Sequence, residues 1–597
     1  MTIENRKYKV ADFIYIPLRI TPVYTIWRII DKIIYALIPS LQIIATAGFV
    51  DTAIKIFGGM AQRQEIYKYL TMLLLIVAHQ YIGHALMKFV RDRMEMRLTE
   101  GYRVAVMEKR SKLEYKHIEN NDTWELINRI GEDPAKKIYT TFDILLRMID
   151  FVLRIGAILL VLFVQVWWAA VVILVFTIPL LYVAVKSGKE VYEASKEGAK
   201  HTRRAAYLGE VLTKRENIEE RALFSYTDEL NKRWHEKFLL AYKINMKALA
   251  KSFVSMKSTS LVTILISGLI ISVLLFPLGA GTISVGMFIG FCTAVAGLDQ
   301  IMSWELGYAT REMASSYEYL KDLSEFAQLS ETIGGADMPD MEIGKAKEPL
   351  CIEFRNVSFA YPETDIKILD NLNMKLYAKR HYAFVGINGA GKTTITKLLT
   401  GLYDNFTGDI FIDGKSIRSF TQAELKAMFA VVYQDFARYS VSLKKNIELG
   451  NVYGVSEDEI TQAAKLLELN GTIEKLPEGM NTHLGKIKEN AMDLSGGEWQ
   501  RVAIARSIVN PAPIRILDEP TAALDPTAES KIYEMFGKIS HGKSTLFITH
   551  RLGAARLADE IFVIAEGKTA EQGSHEKLMA QNGIYAEMYE AQRSWYA

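Results

Sequence analysis

Residues 381–402 read HYAFVGINGAGKTTITKLLTGL, and they decide the fold of the second half of the chain. The stretch begins as a short apolar strand and ends as a helix. Between them, the segment from Gly386 to Thr393 fits the pattern of a phosphate-binding loop, whose glycines let the backbone wrap closely around phosphate. The helix that follows presents its N-terminal amides to the same negative charge. This setting predicts an α/β domain that binds a nucleotide.

The loop supplies a set of candidate nucleotide ligands. Lys392 can reach the outer phosphates, and the Thr393 hydroxyl is suited to Mg²⁺. The residues that we expect to contact the nucleotide are Gly386, Asn388, Gly389, Ala390, Gly391, Lys392, Thr393 and Thr394.

Two adjacent carboxylates form a second candidate site. Asp518 and Glu519 follow the short apolar strand at 514–517. A carboxylate at the end of a buried strand can hold the water shell of a metal, and its neighbour can orient or deprotonate an attacking water. The pair therefore predicts hydrolysis of the bound nucleotide.

Other segments of this half resemble those of ATP-binding cassette (ABC) proteins. Residues 494–508, LSGGEWQRVAIARSI, resemble the signature segment of that family. The remaining matches follow in the family's order, and they are Tyr361 in FAYP, Gln434 in VVYQDF, Asp518 with Glu519, Ala523-Leu524-Asp525, and His550 in FITHR. The resemblance implies a cassette that binds ATP and Mg²⁺.

The resemblance also implies roles for these residues. Tyr361 would stack on adenine, and Asp518 would lie beside the nucleotide. The residues implied in hydrolysis are Glu519, His550 and Gln434, and those implied as metal ligands are Thr393 and Gln434. In the family, the signature segment serves the ATP held by the other cassette, so a dimer is implied; its residues here are Ser495, Gly496, Gly497 and Glu498.

Two departures from the family pattern stand out. Glu498 replaces the usual final glutamine of the signature, although a helix N-terminus tolerates an acid well. The segment 481–490, NTHLGKIKEN, lacks the acidic-arginine pattern common in exporters, which puts direct contact between that loop and the membrane half in doubt.

The first half carries nearly all the long apolar runs. Six segments are long enough to cross a bilayer, which needs about 20 mostly apolar residues, and they lie near 24–50, 67–90, 146–165, 167–187, 258–279 and 283–303. We therefore predict an all-α transmembrane domain with six spans at 1–327, a polar linker at 328–349 and the nucleotide-binding domain at 350–597.

Positive charge predicts the orientation in the membrane. Eleven Lys and Arg residues lie between Arg91 and Lys137, whereas the loop at 54–67 holds only Lys55 and Arg63. The positive-inside rule places both termini, the long stretches 91–140 and 188–250, and the nucleotide-binding domain in the cytoplasm. Both stretches are rich in helix formers and should continue as helices beyond the bilayer. The family resemblance makes 120–130 and 214–224 coupling helices.

Six spans ahead of one cassette resemble an exporter-type half-transporter. We predict ATP-driven export at the plasma membrane of a bacterium, by a homodimer in the simplest case or by a heterodimer. The segment around Gln434 resembles exporters of small modified peptides. The alternatives are a multidrug or lipid exporter, a siderophore importer on the same fold, and a non-transporting ATP-dependent regulator. A net charge of +2 gives no sign of nucleic acid as a partner.

Charged residues inside the spans need a separate explanation. Asp143, Arg147, Asp150 and Arg154 share one narrow stripe of a helix, with alternating signs. We predict that each acid pairs with the arginine four residues on, and that the stripe is structural rather than cargo-binding. The other polar side chains could line an inward-open cavity or pair between helices; they are Arg28, Asp31, Lys32, His79, His84, Asp299 and Glu305. His79 and His84 lie about 140° apart on an α-helix, which argues against a shared metal site.

Overall fold

The structure is a computed structural model, and it describes residues 2–300, 306–340, 349–486, 491–520 and 543–594. The chain divides into two units. The first comprises Met1–Arg110 and Glu125–Leu329, and the second comprises Ser111–Trp124 and Ser330–Ala597. The second unit therefore includes a short segment from the first half of the chain.

Helices account for the described secondary structure of the first 328 residues. In chain order they are α1 Asp12–Ile20, α2 Pro22–Phe57, α3 Ile66–Ala78, α4 His84–Leu98, α5 Val104–Lys112, α6 Tyr115–Glu119, α7 Asn121–Gly131, α8 Pro134–Gln165, α9 Trp167–Thr213, α10 Ile218–Phe224, α11 Thr227–Gly279, α12 Val285–Gln300 and α13 Leu306–Gln328. Single π-helical turns at His79–Gly83 and Thr99–Arg103 join α3 to α4 and α4 to α5.

The six predicted spans fall on these helices, the second of them on the run from α3 to α4. Residues 301–303 of the sixth lie outside the described residues, as does Glu305. Among the described residues, two helical runs, Pro22–Phe57 and Arg63–Lys112, are long and apolar enough by length and composition to cross a membrane. At 1.5 Å per residue, α9 with 47 residues and α11 with 53 are about 70 and 80 Å long, far more than a bilayer core of about 30 Å. Both helices therefore continue well into the stretch 188–250, as the sequence predicts.

The short junctions between apolar runs at 165–166 and 277–282 predict two tight hairpins, and one of them is shifted. Val166 alone separates α8 from α9, as the sequence predicts. The other turn was expected to begin at Pro277, but α11 continues through Pro277 and ends at Gly279. A proline disturbs only the turn before it, and here the amides of Ala280 and Gly281 still find helical acceptors, so the helix closes normally.

The charged stripe on α8 pairs as predicted. Asp143 accepts from Arg147 at 2.8 Å, and Asp150 accepts from Arg154 at 2.5 Å. Arg28 of α2 also contacts Asp143, an interhelical pair that spacing along α8 could not predict.

The second unit contains two β-sheets. Its strands are β1 Cys351–Ala360, β2 Lys367–Tyr377, β3 His381–Val385, β4 Thr407–Ile412, β5 Lys415–Ser416, β6 Phe429–Val432, β7 Ile514–Asp518, β8 Ser544–Ile548, β9 Glu560–Ala565 and β10 Lys568–Gly573. An antiparallel sheet has the order β2-β1-β4-β5, and a six-stranded sheet has the order β10-β9-β3-β8-β7-β6. In the six-stranded sheet, β6, β7, β8, β3 and β9 are parallel, and β10 is antiparallel.

The described helices of this part are α14 Lys392–Leu399, α15 Gln422–Met428, α16 Leu443–Glu448, α17 Glu457–Leu466, α18 Asn470–Lys475, α19 Gly496–Val509, α20 Leu552–Ala555, α21 His575–Ala580 and α22 Ile584–Arg593. Every residue of β7 and β8 is buried, as expected for central strands of a parallel sheet. The predicted combination of an all-α first half with an α/β second half is confirmed.

Candidate nucleotide site

The predicted nucleotide site lies at one edge of the six-stranded sheet. β3 ends at Val385, immediately before the phosphate-binding loop, and β7 ends at Asp518. Gln434 follows the end of β6 by two residues, and His550 follows the end of β8 by two. Because these four strands are parallel neighbours, their carboxyl ends meet, and ligands bind in open α/β sheets at such edges.

Two glycines of the loop occupy positions where a side chain would not fit. Gly391 caps α14 with φ 99°, and a Cβ there would lie 2.7 Å from the side chain of Leu369. At Gly386 a Cβ would lie 2.2 Å from the carbonyl oxygen of Ile564. The loop therefore packs tightly against neighbouring strands and leaves the amides at the start of α14 uncovered for an anion.

Lys392 holds its positive charge inside this loop. Its Nζ donates to the carbonyl oxygens of Gly386 and Ile387, each at 2.9 Å. Burial lowers the pKa of Lys392. The ammonium thus lies at the centre of the loop that is expected to surround the phosphates.

Three residues predicted to act in hydrolysis come together although they are far apart in sequence. Gln434 Nε2 donates to Glu519 Oε2 at 3.2 Å, and His550 Nε2 lies 2.8 Å from Glu519 Oε1. Burial lowers the pKa of His550, so the ring is neutral at pH 7 and donates its Nε2–H to the carboxylate. Glu519 is therefore held by two donors in the position expected of a water-activating base.

The backbone at Glu519 is strained. Its φ is 48°, in the left-handed region that non-glycine residues rarely adopt. Its amide still donates to the carbonyl of Ile548 at 2.9 Å, which ties the residue to β8. Strain of this kind concentrates at functional sites, and here it turns the Glu519 side chain toward His550.

Asp518 has the properties of a residue that faces a cation. Burial raises its pKa to about 6, against the opposing influence of the Thr393 hydroxyl. Both of its carboxylate oxygens are buried and make no conventional hydrogen bond within the described residues. A buried carboxylate needs a compensating partner, and Mg²⁺ with its water shell fits that need beside the Thr393 hydroxyl.

Tyr361 occupies an aromatic cluster at the other side of the loop. Its hydroxyl lies 3.0 Å from that of Thr394, and its ring packs edge-on against Tyr403 with 5.6 Å between centroids. A cavity of about 640 Å³ opens beside it, with Pro362 and Glu363 in its lining. The geometry is suited to a ring that stacks on a nucleotide base.

Three residues near Tyr361 were missed by the sequence analysis. The Lys397 ammonium lies 5.2 Å above the Tyr361 ring and donates to Glu119 at 2.5 Å. Tyr403 donates its hydroxyl to the same carboxylate. Burial would lower the pKa of Lys397, but the Glu119 carboxylate outweighs it and the pKa is raised. Glu119 lies 278 residues before Lys397, and no short-range pattern connects them.

The signature segment forms the start of α19, but the helix begins earlier than expected. The segment Ser495-Gly496-Gly497 predicts a helix that begins at Glu498, whereas the helix begins at Gly496 and Ser495 is its N-cap. Ser495 accepts from the Glu498 amide at 3.3 Å, and Glu498 accepts in return from the Ser495 amide at 2.8 Å. This capping box satisfies two amides that would otherwise lack partners, so the helix starts two residues sooner.

Glu498 is also engaged outside the helix. Its second oxygen accepts from the Thr472 hydroxyl at 2.7 Å. Burial alone would raise the pKa of Glu498, but hydrogen bonds from Thr472 and Ser495 lower it. The acid that replaces the usual glutamine thus serves as a cap, and its charge lies at the positive end of the helix.

We expect Glu498→Gln to change the ATPase rate by less than about three-fold, a barrier change below 1 kcal/mol. The amide oxygen can still accept the cap bonds, and only the charge interaction with the helix is lost, at about 0.3–1 kcal/mol of stability. Thermal unfolding and the rate of phosphate release measure both effects. Glu459→Gln is the matched control, since Ser456 and Glu459 form the same capping box on α17. A fall in ATPase rate of ten-fold or more at Glu498 alone would contradict the capping role.

Gln500 is a further residue near the site that the sequence analysis did not single out. It is buried, and its side-chain amide donates to the backbone carbonyl of Glu519 at 3.3 Å. The predicted segment Ala523-Leu524-Asp525 and residues 487–490 lie outside the described residues.

Comparisons with known proteins agree with this geometry. Residues 22–301 match the family described as the ABC transporter transmembrane region, and residues 369–522 match the ABC transporter family. The chain is 30% identical to the subtilin transport ATP-binding protein of Bacillus subtilis over 545 residues, which is 89% of this chain and 86% of that protein. It is 29% identical to the ATP-dependent lipid A-core flippase of Escherichia coli over 486 residues, 79% of this chain and 80% of the flippase.

A solved structure extends the likeness to the whole fold. The ATP-bound structure of a bacterial Atm1-family ABC exporter aligns with a TM-score of 0.77 at 25% identity. The alignment covers 95% of this chain and 98% of that exporter.

Proposed function

This chain belongs to the ABC transporter family as an exporter that couples ATP hydrolysis to transport, and on that premise we propose that it exports a small modified peptide as a dimer. The observation that carries the cargo class is the likeness to the subtilin transport protein over nearly the full length of both chains. The sequence around Gln434, which resembles peptide exporters, supports the same class.

A lipid is the second candidate cargo. The flippase likeness spans 486 residues at nearly the same identity, so a lipid substrate has independent support. Both candidates need the same ATP-driven change of the membrane domain, and they differ only in what the cavity accepts.

Transport into vesicles tests the proposal. The full chain would be reconstituted into liposomes, and the ATP-dependent accumulation of subtilin and of a fluorescent phospholipid analogue would be measured in parallel. Accumulation of the peptide with stimulated ATPase activity supports peptide export. Movement of the lipid analogue alone would transfer the assignment to a flippase. ATP hydrolysis that neither compound stimulates, without transport of either, would favour a regulator.

The proposed mechanism assigns each step to a residue of the site. Lys392 and the amides at the start of α14 hold the outer phosphates, and Tyr361 stacks on the base. Thr393 and Gln434 would ligate Mg²⁺, with Asp518 holding its water shell; the metal supplies charge neutralisation for phosphoryl transfer. Glu519 then accepts a proton from the attacking water, and the Nε2–H of His550, which donates to Glu519 before nucleotide binds, donates to the γ-phosphate instead.

A route for coupling begins beside the base. Tyr403 contacts the Tyr361 ring and donates to Glu119 in α6, ahead of the predicted coupling segment 120–130. Adenine stacking on Tyr361 would therefore affect the position of α6 and of the segment that follows it into the first unit. Such a link changes the equilibrium between inward- and outward-facing states only if nucleotide binds the two states with different affinity.

We propose that two chains form two composite sites. Ser495 is exposed at the start of α19, where its amide cluster can receive phosphate from a second chain. The cassette lies in the cytoplasm and the spans cross a bacterial plasma membrane in this proposal. A homodimer is the simplest form because all the catalytic positions within the described residues are filled.

Mixing two inactive variants tests the composite site. We expect Lys392→Ala to lose ATP binding and Ser495→Arg to block the start of the signature helix. Neither homodimer therefore has a working site. A mixed dimer retains one site built from the intact loop of one chain and the intact signature of the other. ATPase activity should therefore reappear when the two are co-expressed and purified through separate tags. Activity that fails to reappear in verified mixed dimers contradicts the composite site.

A further inference from the structure

A polar cavity of about 260 Å³ lies within the first unit, among α2, the α3–α4 run and α8. Its lining includes six basic side chains, which are Arg28, Lys32, Lys88, Arg91, Arg147 and Arg154. Only three acids line it, and they are Asp31, Asp143 and Asp150. The cavity therefore carries an excess of three positive charges when its two histidines are neutral.

Two of the three acids form ion pairs with arginine. Asp143 contacts both Arg28 and Arg147, and Asp150 accepts from Arg154. Asp31 lies 3.9 Å from His79.

Arg91 pairs with Asp92 beside the cavity, at 3.2 Å. Lys32 and Lys88 have no carboxylate within ion-pair distance in the described parts of the chain. The six basic side chains thus exceed the three lining acids and Asp92 together by two charges.

Two buried arginines also keep a donor without an acceptor. The side chain of Arg28 is only 7% exposed, and that of Arg154 is 11% exposed. The Nε atom of each is buried and makes no hydrogen bond within the described residues. A guanidinium presents its donors in a fork that matches a carboxylate or a phosphate, so the arginines that line the cavity are suited to an oxyanion.

The π-helical turn between α3 and α4 shapes this wall. An α-helix would put His79 and His84 on different faces, as the sequence analysis assumed. The wider turn at His79–Gly83 changes the angle between the two side chains around the helix axis, and both histidines line the cavity. The local distortion therefore concentrates polar groups on one side, as such turns often do at functional sites.

A cavity lined by an excess of one charge attracts a ligand group of the opposite charge. We infer that this cavity binds the anionic group, carboxylate or phosphate, of the transported molecule. The inference rests on the proposed export function and specifies the chemistry of its cargo. At about 30 Å³ for a water, 260 Å³ admits a charged group and its nearest atoms but not a whole peptide.

The orientation of α8 favours cargo over a lipid headgroup as the source of the anion. Ile149 and Val152 are exposed on its apolar side, whereas Asp150 and Arg154 are buried on the side that lines the cavity. The surrounding lipid meets the apolar side. A molecule that enters between the helices meets the basic side.

Binding of matched peptides tests the inference. The full chain, free of nucleotide, would be placed in phosphatidylcholine nanodiscs and titrated calorimetrically with acetyl-Leu-Glu-Glu-Leu-amide and its neutral counterpart acetyl-Leu-Gln-Gln-Leu-amide. We expect the acidic peptide to bind at least about ten-fold more tightly, because it supplies the missing acceptors. Equal dissociation constants for the two peptides would overturn the inference.

Variants locate the effect in the cavity. Lys32→Gln with Lys88→Gln should reduce the preference to less than about three-fold, since it removes the two uncompensated charges. Lys55→Gln with Lys68→Gln removes the same charge outside the cavity and should keep the preference. Lys32→Arg with Lys88→Arg keeps the charge of the cavity and should also keep the preference for the acidic peptide. A preference that survives the first variant, or that disappears in the second, would overturn the inference.

Two further arms separate the alternatives. If replacing part of the phosphatidylcholine by phosphatidylglycerol abolishes acidic-peptide binding, the cavity holds a lipid headgroup and the cargo assignment fails. MgATP hydrolysis by the same wild-type nanodiscs reports separately on the proposed function. Hydrolysis without peptide preference overturns only the inference, whereas preference without hydrolysis overturns the ATP-driven function and leaves the anion site standing.

Discussion

Replacing Glu519 with glutamine is expected to lower the rate of ATP hydrolysis by about 10²–10⁴-fold while leaving MgATP binding intact. The amide matches the carboxylate in shape, and its single oxygen can keep one of the two contacts from Gln434 and His550, but it cannot accept a proton from water. The left-handed backbone at this position is equally costly for both residues, so folding should be little affected. Single-turnover hydrolysis and equilibrium nucleotide binding measure the two quantities separately.

The chain offers a matched control for this substitution. Glu566 also has φ 48°, but it lies in the turn between β9 and β10. Glu566→Gln should hydrolyse ATP at the wild-type rate. Residual turnover within about ten-fold of wild type in Glu519→Gln would refute its assignment as the base.

Breaking the buried pair on α8 is expected to destabilise the membrane domain strongly. Asp150 is 5% exposed and Arg154 is 11% exposed, so removing either partner leaves a buried charge. Loss of one member of such a pair costs about 3–5 kcal/mol. Asp150→Ala and Arg154→Ala should therefore each lower the unfolding midpoint, and the double variant should be less impaired than the sum of the two predicts.

The neighbouring pair on the same helix is the control. Asp143 and Arg147 have the same spacing, but Arg147 is 46% exposed, so Arg147→Ala should cost no more than about 1 kcal/mol. Loss of folded protein in the Asp150 and Arg154 variants supports the structural role predicted from the sequence. Intact folding and basal ATPase activity with lost transport would instead show that the pair contacts cargo.

The phosphate-binding loop illustrates what local sequence can predict. Its glycines, lysine and threonine all lie in one strand-loop-helix segment, so their spacing alone specifies the geometry around Gly391 and Lys392. The capping box at Ser495 is equally local. The sequence places the start of α19 two residues too late, because the hydrogen bond from the Ser495 amide to Glu498 extends the helix toward its N-terminus.

The contacts around Glu119 and Arg28 illustrate what local sequence cannot predict. Glu119 meets Lys397 and Tyr403 after a separation of 278 residues or more. Arg28 meets Asp143 across two helices. Such pairs depend on which faces of distant elements pack together, and periodicity within one element carries no information about that.

The sequence by itself determined the long apolar runs, the α/β cassette and the candidate residues of the nucleotide site, because each follows from hydrophobic length or from chemistry that a short motif encodes. Only the tertiary structure decided that Gln434, Glu519 and His550 share hydrogen bonds, that both histidines of the second span line one cavity, and that its basic side chains outnumber the acids. The physical reason is that burial and net charge at a point in space are sums over several elements, whereas a motif describes only one.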